Sequence, residues 1–340
     1  MSPMETRLTL PASVAAAPAA SRVPANRAVQ ALVQLLCRIR YGRCLLILPD
    51  GQRLVFAGEQ KPEVQATLRL ETPAAAHSLL TRGAVGFAEA YVDGHWNTPD
   101  LPGLLEFAVH NEPATGSPTL GRWLARQCHR LYRLSRANTR RGSRRNAARH
   151  YDLGNAFYRP WLGASMTYSS ALFEALDQSL DQAQANKYRR LTGLLELRPG
   201  LDLLEIGCGW GEFARLAARA YGCRVTAITL SRAQAAWAQA QIAAAGLAGR
   251  VEIRLQDYRD VTGSHDRIAS IEMIEAVGRR YWPTYFRTIK RRLRPGGVAA
   301  LQAIILAEQR SSAYRQGTEF IQRHIFPGGY LPSASAIDAQ

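Results

Sequence analysis

The chain has 340 residues, 47% of them hydrophobic, with 43 Lys+Arg against 27 Asp+Glu and a formal net charge of +16. That length is more than one small core needs and suits two domains, while the lack of any long uninterrupted apolar run argues against a membrane-spanning helix. The charge implies a polyanionic partner, and on its own it leaves nucleic acid and an anionic membrane face both open.

Residues 1–27 are rich in Ala and Pro, and Pro11 and Pro18 break the apolar stretch, so the segment reads as a disordered leader rather than a signal peptide. AVQALVQLLCRIR (28–40) has helical spacing, and two apolar runs flank Asp50-Gly51, a hairpin signal. Residues 63–71 alternate like a strand, and helices are expected around 73–82 and 84–93. Together these make a small α+β domain over 28–115, in which GAVGFAEAYVDGHW (83–96) reads as packing. Residues 116–149 form an Arg-rich helical linker. Arg122, Arg126, Arg130 and Arg133 fall along one helix face, which is either a solvated face or an electrostatic footing for lipid phosphates.

From about residue 185 helix and strand alternate as in a parallel sheet. Strands are expected at 201–206, 224–230, 251–256, 266–273 and 297–306, with helices at 212–221, 232–246 and 281–293. The fold class is therefore α/β, a doubly wound sheet preceded by the small α+β domain. Five scattered cysteines (Cys37, Cys44, Cys128, Cys208, Cys223) lack metal-ligand spacing and read as reduced thiols of a cytosolic chain, with no metal site.

The segment Glu205-Ile206-Gly207-Cys208-Gly209-Trp210-Gly211 follows a strand and opens a helix, so its glycines let backbone approach a ligand at the carboxyl edge of the sheet. It reads G-x-G-x-G with an acid two residues upstream, the pattern of class I methyltransferases rather than of a dinucleotide site. The second strand ends Thr229-Leu230-Ser231 without the usual ribose-binding carboxylate, and Gln234 stands one turn on. Gln256-Asp257 lies where an adenine contact is expected. Trp210 reads as packing.

RRNAARHYDLGNAFYRPWLGASMTYSSALF (144–173), EIGCGWGEFA (205–214), ITLSRAQ (228–234), LQDYRD (255–260), SIEMIEAVG (270–278) and FIQRHIFPGGYLPS (320–333) occur in the order found in cyclopropane-fatty-acyl-phospholipid synthases. GFAEAYVDGHWNTPDL (86–101) also resembles the accessory domain of bacterial members, so the resemblance covers about residues 30 to 335. It implies S-adenosyl-L-methionine as cofactor, cradled by Tyr168, Ser169, Gly207, Gly209, Thr229, Gln234, Gln256 and Asp257. The implied chemistry is methyl transfer to a cis double bond of an unsaturated phospholipid acyl chain, followed by proton loss and ring closure. A bound bicarbonate is the base the family implies. Glu275 and Ile304 match its site, whereas Ser170 stands at the Cys position, Gln302 at the His position and Ala276 where a His is usual. The altered site raises an alternative outcome, a methyl-branched chain, and a third reading is an inactive membrane-binding remnant. His150-Tyr151-Asp152 resembles a family motif, and His324 sits in a family loop without a catalytic role.

The resemblance further implies a peripheral location on the cytoplasmic side of an anionic phospholipid membrane, no nucleic-acid partner, and leaves a homodimer open. Five strands are counted where class I methyltransferases have seven, and GVAALQAIIL (297–306) is expected to present an open apolar edge. The chain is therefore expected to be C-terminally truncated, with its activity in that form left open.

Overall fold

The computed structural model describes residues 25–115, 138–151, 153–316 and 319–340. Residues before and after Gln127 form separate compact units. The expected arginine face at Arg122–Arg133, with Cys128, lies outside the described residues.

The first unit starts with α1 (Arg27–Leu36), capped by Asn26, whose side chain accepts from Ala28 and Val29 N–H. Its buried residues Val29, Leu32 and Leu36 recur at three and four, the spacing of one helix face. β1 (Tyr41–Ile47) and β2 (Arg53–Ala57) form the hairpin expected around Asp50-Gly51. The Asp50 carboxylate accepts from Gln52 N–H and stabilises the turn. β3 (Gln60–Leu70) pairs parallel to β1, and β4 (Trp96–Asn97) completes a sheet ordered β2-β1-β3-β4. α2 (Ala74–Val92) is two helices joined at Gly83, whose φ of 63° no helix contains, so the expected break falls where glycine permits it. Trp96 stacks on Phe87 at 4.3 Å and donates from its indole to the Phe87 carbonyl, as the packing reading of this stretch requires. α3 (Leu101–Thr115) is held by buried Asn111, which accepts from Arg40 and Tyr41 N–H and donates to the carbonyls of Tyr41 and Phe107.

The second unit is a five-stranded, all-parallel sheet: β5 (Asp202–Ile206), β6 (Arg224–Thr229), β7 (Val251–Leu255), β8 (His265–Ile271) and β9 (Leu293–Gln302), ordered β7-β6-β5-β8-β9. The chain runs outward from β5 to β7, then crosses back to place β8 on the other side of β5. That reversal opens a crevice at the carboxyl ends of the strands. Before the sheet come α4 (Arg140–Tyr151), α5 (Asn155–Leu162) and α6 (Leu180–Leu194); within it come α7 (Glu212–Tyr221), α8 (Arg232–Ala244), α9 (Ile274–Val277) and α10 (Trp282–Arg292). α11 (Glu308–Gln316) and α12 (Ala334–Asp338) follow.

Alternation along the strands feeds two cores. Leu203, Val225 and Ala269 pack with Tyr188, Phe213, Ala217 and Ile242 on one face. Leu204, Ile206, Ile228 and Ile268 pack with Trp282, Tyr285 and Ile289 on the other. The fifth strand departs from the sequence expectation: it starts at Leu293, ahead of the Pro295-Gly296-Gly297 stop, and ends at Gln302. A register shift against β8 between His265 and Arg267 absorbs the early start. Among the described residues β9 forms one edge of this sheet.

Candidate active site

The crevice holds a cavity of about 410 Å³, whose wall is built from the β5–α7 turn, the ends of β6, β7 and β8, and the segments around 143–151, 166–169 and 326–331. In the turn, the N–H groups of Gly207 and Cys208 both donate to the Ile228 carbonyl, locking the loop to β6. Gly207, Gly209 and Gly211 have φ of 83°, 53° and 87°, the left-handed region that glycine enters at little cost. Their surroundings differ. A side chain on Gly207 would run into Met273, and one on Gly209 would meet nothing within 4 Å. At Gly211 a Cβ would lie 2.8 Å from the Ala238 Cβ, so this third glycine allows helix–sheet packing and does not line the cavity.

Glu205, at the end of β5, is buried, and its Oε2 has no hydrogen-bond partner among the described residues. Burial pushes its carboxyl up to about 8, against a bond from the Ala214 N–H that pulls the other way.

A second wall is the loop carrying Tyr168 and Ser169, which α6 holds from below. Gln184 donates to the Ser169 carbonyl at 2.8 Å, Asn186 to the Leu172 carbonyl at 3.3 Å, and Lys187 Nζ to Ser169 Oγ at 2.7 Å. Tyr188 shares a bond with Thr167 at 3.0 Å. The stretch QAQANKY (182–188) looks like an exposed helix face, yet Gln184, Asn186 and Lys187 are all buried. Burial draws the Lys187 ammonium down to about 8, opposed by Glu272 and Glu205. Tyr168 lies in an aromatic cluster with Tyr151, Tyr158 and Trp210, and Trp210 donates to Asn155 at 2.8 Å.

On the nucleoside side, Thr229 donates to Gln234 Oε1 at 2.7 Å, and Ser231 caps α8 by accepting from Gln234 N–H. Thr229, Leu230, Gln234 and Gln256 line the cavity, whereas Ser231 does not, its hydroxyl being used by the cap. Asp257 is buried and bonded at both oxygens by Arg259, at 2.8 and 2.6 Å. Arg259 also reaches the Asn138 carbonyl and Ser143 Oγ, which ties α4 over the cavity. Asn138 in turn donates to the carbonyls of Ala276 and Gly328, both at 2.8 Å.

At the far end, the Ile304 N–H donates to Glu275 Oε1 at 2.5 Å, while Glu275 Oε2 is buried without a partner among the described residues. Burial raises this carboxyl to about 7, with the backbone bonds pulling down and Glu272 pushing up. Ser170 and Gln302, expected beside Glu275, are brought together elsewhere. Ser170 N–H and Gln302 Nε2 both donate to Glu272 Oε1, at 2.8 and 2.9 Å, and Gln302 Nε2 also donates to the Ser170 carbonyl. Neither lines the cavity. Glu272 itself sits at φ 49°, a strained setting for a residue with a Cβ, and the sequence carried no sign of its role.

Twelve of the sixteen expected residues therefore border one cavity: Tyr168, Ser169, Glu205, Gly207, Gly209, Thr229, Leu230, Gln234, Gln256, Asp257, Glu275 and Ile304. Gly211, Ser231, Ser170 and Gln302 stand outside for the reasons just given. His150 beyond its backbone and Asp152 lie outside the described residues, and Tyr151 lines the cavity. His324 contacts Phe320 and lies off the wall.

These residues fit S-adenosylmethionine. The open space over Gly209 admits a ligand against the backbone, and the unpartnered Glu205 oxygen suits an ammonium group. They do not assemble the expected bicarbonate cradle: the Ile304 N–H is taken by Glu275, and Ser170 and Gln302 are bound to Glu272.

A profile of the mycolic acid cyclopropane synthetase family matches residues 138–340. The tuberculostearic acid methyltransferase of Mycobacterium tuberculosis is 39% identical over 300 residues, 86% of this chain and 69% of that protein. The cyclopropane-fatty-acyl-phospholipid synthase of Escherichia coli K12 is 34% identical over 281 residues, 80% of this chain and 68% of that one. Among solved structures, mycolic acid cyclopropane synthase CmaA1 complexed with SAH and CTAB superposes with a TM-score of 0.54 at 33% identity, covering 58% of this chain and 72% of that one.

Proposed function

We propose, because this chain belongs to the mycolic acid cyclopropane synthetase family, that it is an S-adenosylmethionine-dependent methyltransferase acting on a cis double bond in an unsaturated phospholipid acyl chain. When bound, the cofactor supplies an electrophilic methyl group on a sulfonium. An isolated alkene is a weak nucleophile, so the protein's part is orientation in a cavity that keeps water out. Gly207 and Gly209 let the backbone close on the cofactor, Glu205 accepts from its amino end, and the carboxylate of Asp257 accepts from the adenine amine.

The single observation that carries the reading is Glu275: a buried carboxyl whose second oxygen, without a partner among the described residues, borders the cavity that begins at the glycine turn. Once the new carbon–carbon bond forms, the acyl chain is cationic and must release a proton, and Glu275 Oε2 accepts it. Loss from the transferred methyl closes a cyclopropane. Loss from a neighbouring chain carbon gives a branched alkene of the same mass, and a saturated methyl branch needs hydride from a separate reductant. The branched outcome is a second reading, supported by Ser170 and Gln302 turning to Glu272 instead of Glu275.

Mass spectrometry of lipids from cells expressing this chain tests the proposal. One added carbon on unsaturated acyl chains supports it, and mild hydrogenation separates ring from alkene. Unchanged acyl chains beside an expressed, folded protein that binds SAH would refute it.

A further inference from the structure

We propose that the outward face of α5 docks on an anionic phospholipid surface. This rests on the acyl-lipid reading above and assigns the part of the molecule that meets the lipid. α5 has two unlike sides. Tyr158, 3% exposed, packs inward with Trp210 and Met166. Phe157 and Trp161, four residues apart and so on one helix face, are 46% and 68% exposed, with their rings 5.9 Å from each other. Leu153, just ahead of the helix, is 57% exposed. Two large aromatic side chains in contact in water, with a third exposed apolar residue close by in sequence, mark an interaction site rather than ordinary surface.

Charge selects the occupant. From Asn138 to Phe173 the chain holds six arginines and one acidic residue, Asp152. On α4, immediately before α5, Arg141 and Arg144 are exposed, as is Arg159 on α5 itself, while Arg140 is paired with Asp260 at 2.8 Å. Aromatic rings that seat at the headgroup boundary, with guanidinium groups close by in sequence to meet lipid phosphates, are the chemistry of a helix lying in a membrane surface. Among the described residues no helix is long and apolar enough to cross a membrane. The inward side of α5 packs Tyr158 at 5.4 Å from Tyr168, which lines the reaction cavity. A lipid surface on the outer side of α5 would therefore lie one helix thickness from that cavity.

The test is co-sedimentation of the full chain with sucrose-loaded vesicles of mixed phosphatidylglycerol and phosphatidylcholine, and with phosphatidylcholine alone. The parent binds the anionic vesicles and is released as salt rises. The double variant Phe157→Ser with Trp161→Ser partitions about tenfold or more weakly. It keeps the SAH affinity of the parent by calorimetry, which reports that it is folded, and it still methylates the same lipid dispersed in detergent. The proposal is overturned if the variant sediments like the parent, or if the parent ignores both vesicles and binds RNA instead. A parent that is a dimer while the variant is a monomer also overturns it, since the face is then a subunit interface. A parent that binds vesicles through α5 but methylates no lipid in any form sinks the acyl-lipid reading and leaves the docking face standing.

Discussion

The backbone N–H of Ile304 holds Glu275 by one carboxylate oxygen at 2.5 Å and leaves the other buried and, among the described residues, unpartnered. This bond joins the segment just after β9 to the helical turn after β8, two elements that the parallel sheet alone would not fix to each other. Burial raises the Glu275 carboxyl to about 7 against the pull of this bond, so at the cavity it exchanges a proton close to neutrality.

Glu275→Gln is expected to lower methyl incorporation by at least about a hundredfold, the scale of a lost general base. In the parent the base works ionised, so incorporation rises with pH through about 7, and this inflection is absent from any residual activity of the variant. The stability effect has the opposite sense. A carboxyl raised in the folded state favours folding less as pH climbs from the ordinary carboxylate range through the folded value. Thermal melts should show the variant gaining on the parent at mildly alkaline pH and matching it in acid.

The three glycines of the turn should separate into binding and packing. Gly209→Ala places a Cβ in open space, so the fold survives with about 1–2 kcal/mol of left-handed strain while SAH affinity collapses. Gly207→Val drives into Met273 and abolishes binding. Gly211→Val presses on Ala238 and shows up mainly as a lower melting temperature. Calorimetry giving normal SAH affinity for Gly209→Ala would remove the cofactor from the turn.

Arg259→Ala removes both guanidinium bonds from a buried carboxylate and leaves it the backbone N–H of position 259. Urea unfolding should report a loss of about 3–5 kcal/mol, the usual cost of leaving one member of a buried pair behind. Burial pushes the Asp257 carboxyl up, but the bonds from Arg259 outweigh it and hold the group below its ordinary value. The pair therefore stabilises the fold above the ordinary carboxylate range, and that contribution fades as pH falls through the depressed value. The variant should lack this acid limb.

Glu272 carries its left-handed φ of 49° together with two accepted bonds. Glu272→Ala and Glu272→Gly both release Ser170 and Gln302 and remove a carboxylate that borders the cavity, so both should lose turnover. The glycine variant should be the more stable by about 1 kcal/mol, because it sheds the backbone strain. Equal stabilities would mean that the φ is relaxed in solution.

Local and periodic features were legible from the sequence. The Asp50-Gly51 hairpin, the break at Gly83 and the run of five parallel strands each follow from neighbours within one element, and the glycine turn follows from its place between strand and helix. The fifth strand ended early because apolar pattern alone cannot tell that Ile304 leaves the ladder to bond Glu275. Arg259, Lys187 and Glu272 were not legible at all. Each acts across long chain separations, and in sequence each resembles a solvated charge. The same limit explains Ser170 and Gln302: sequence placed them by analogy at Glu275, while packing gave them Glu272 as acceptor.

The most direct measurement follows the methyl carbon itself. The purified chain is incubated with S-adenosylmethionine labelled in that carbon and with unsaturated phospholipid, and the released acyl chains are analysed by mass spectrometry. The labelled carbon is expected on the acyl chain at the former double bond, and missing when Gly209→Ala replaces the parent. Label that stays on the cofactor while the parent binds SAH normally, or that appears on nucleic acid instead, would contradict the account.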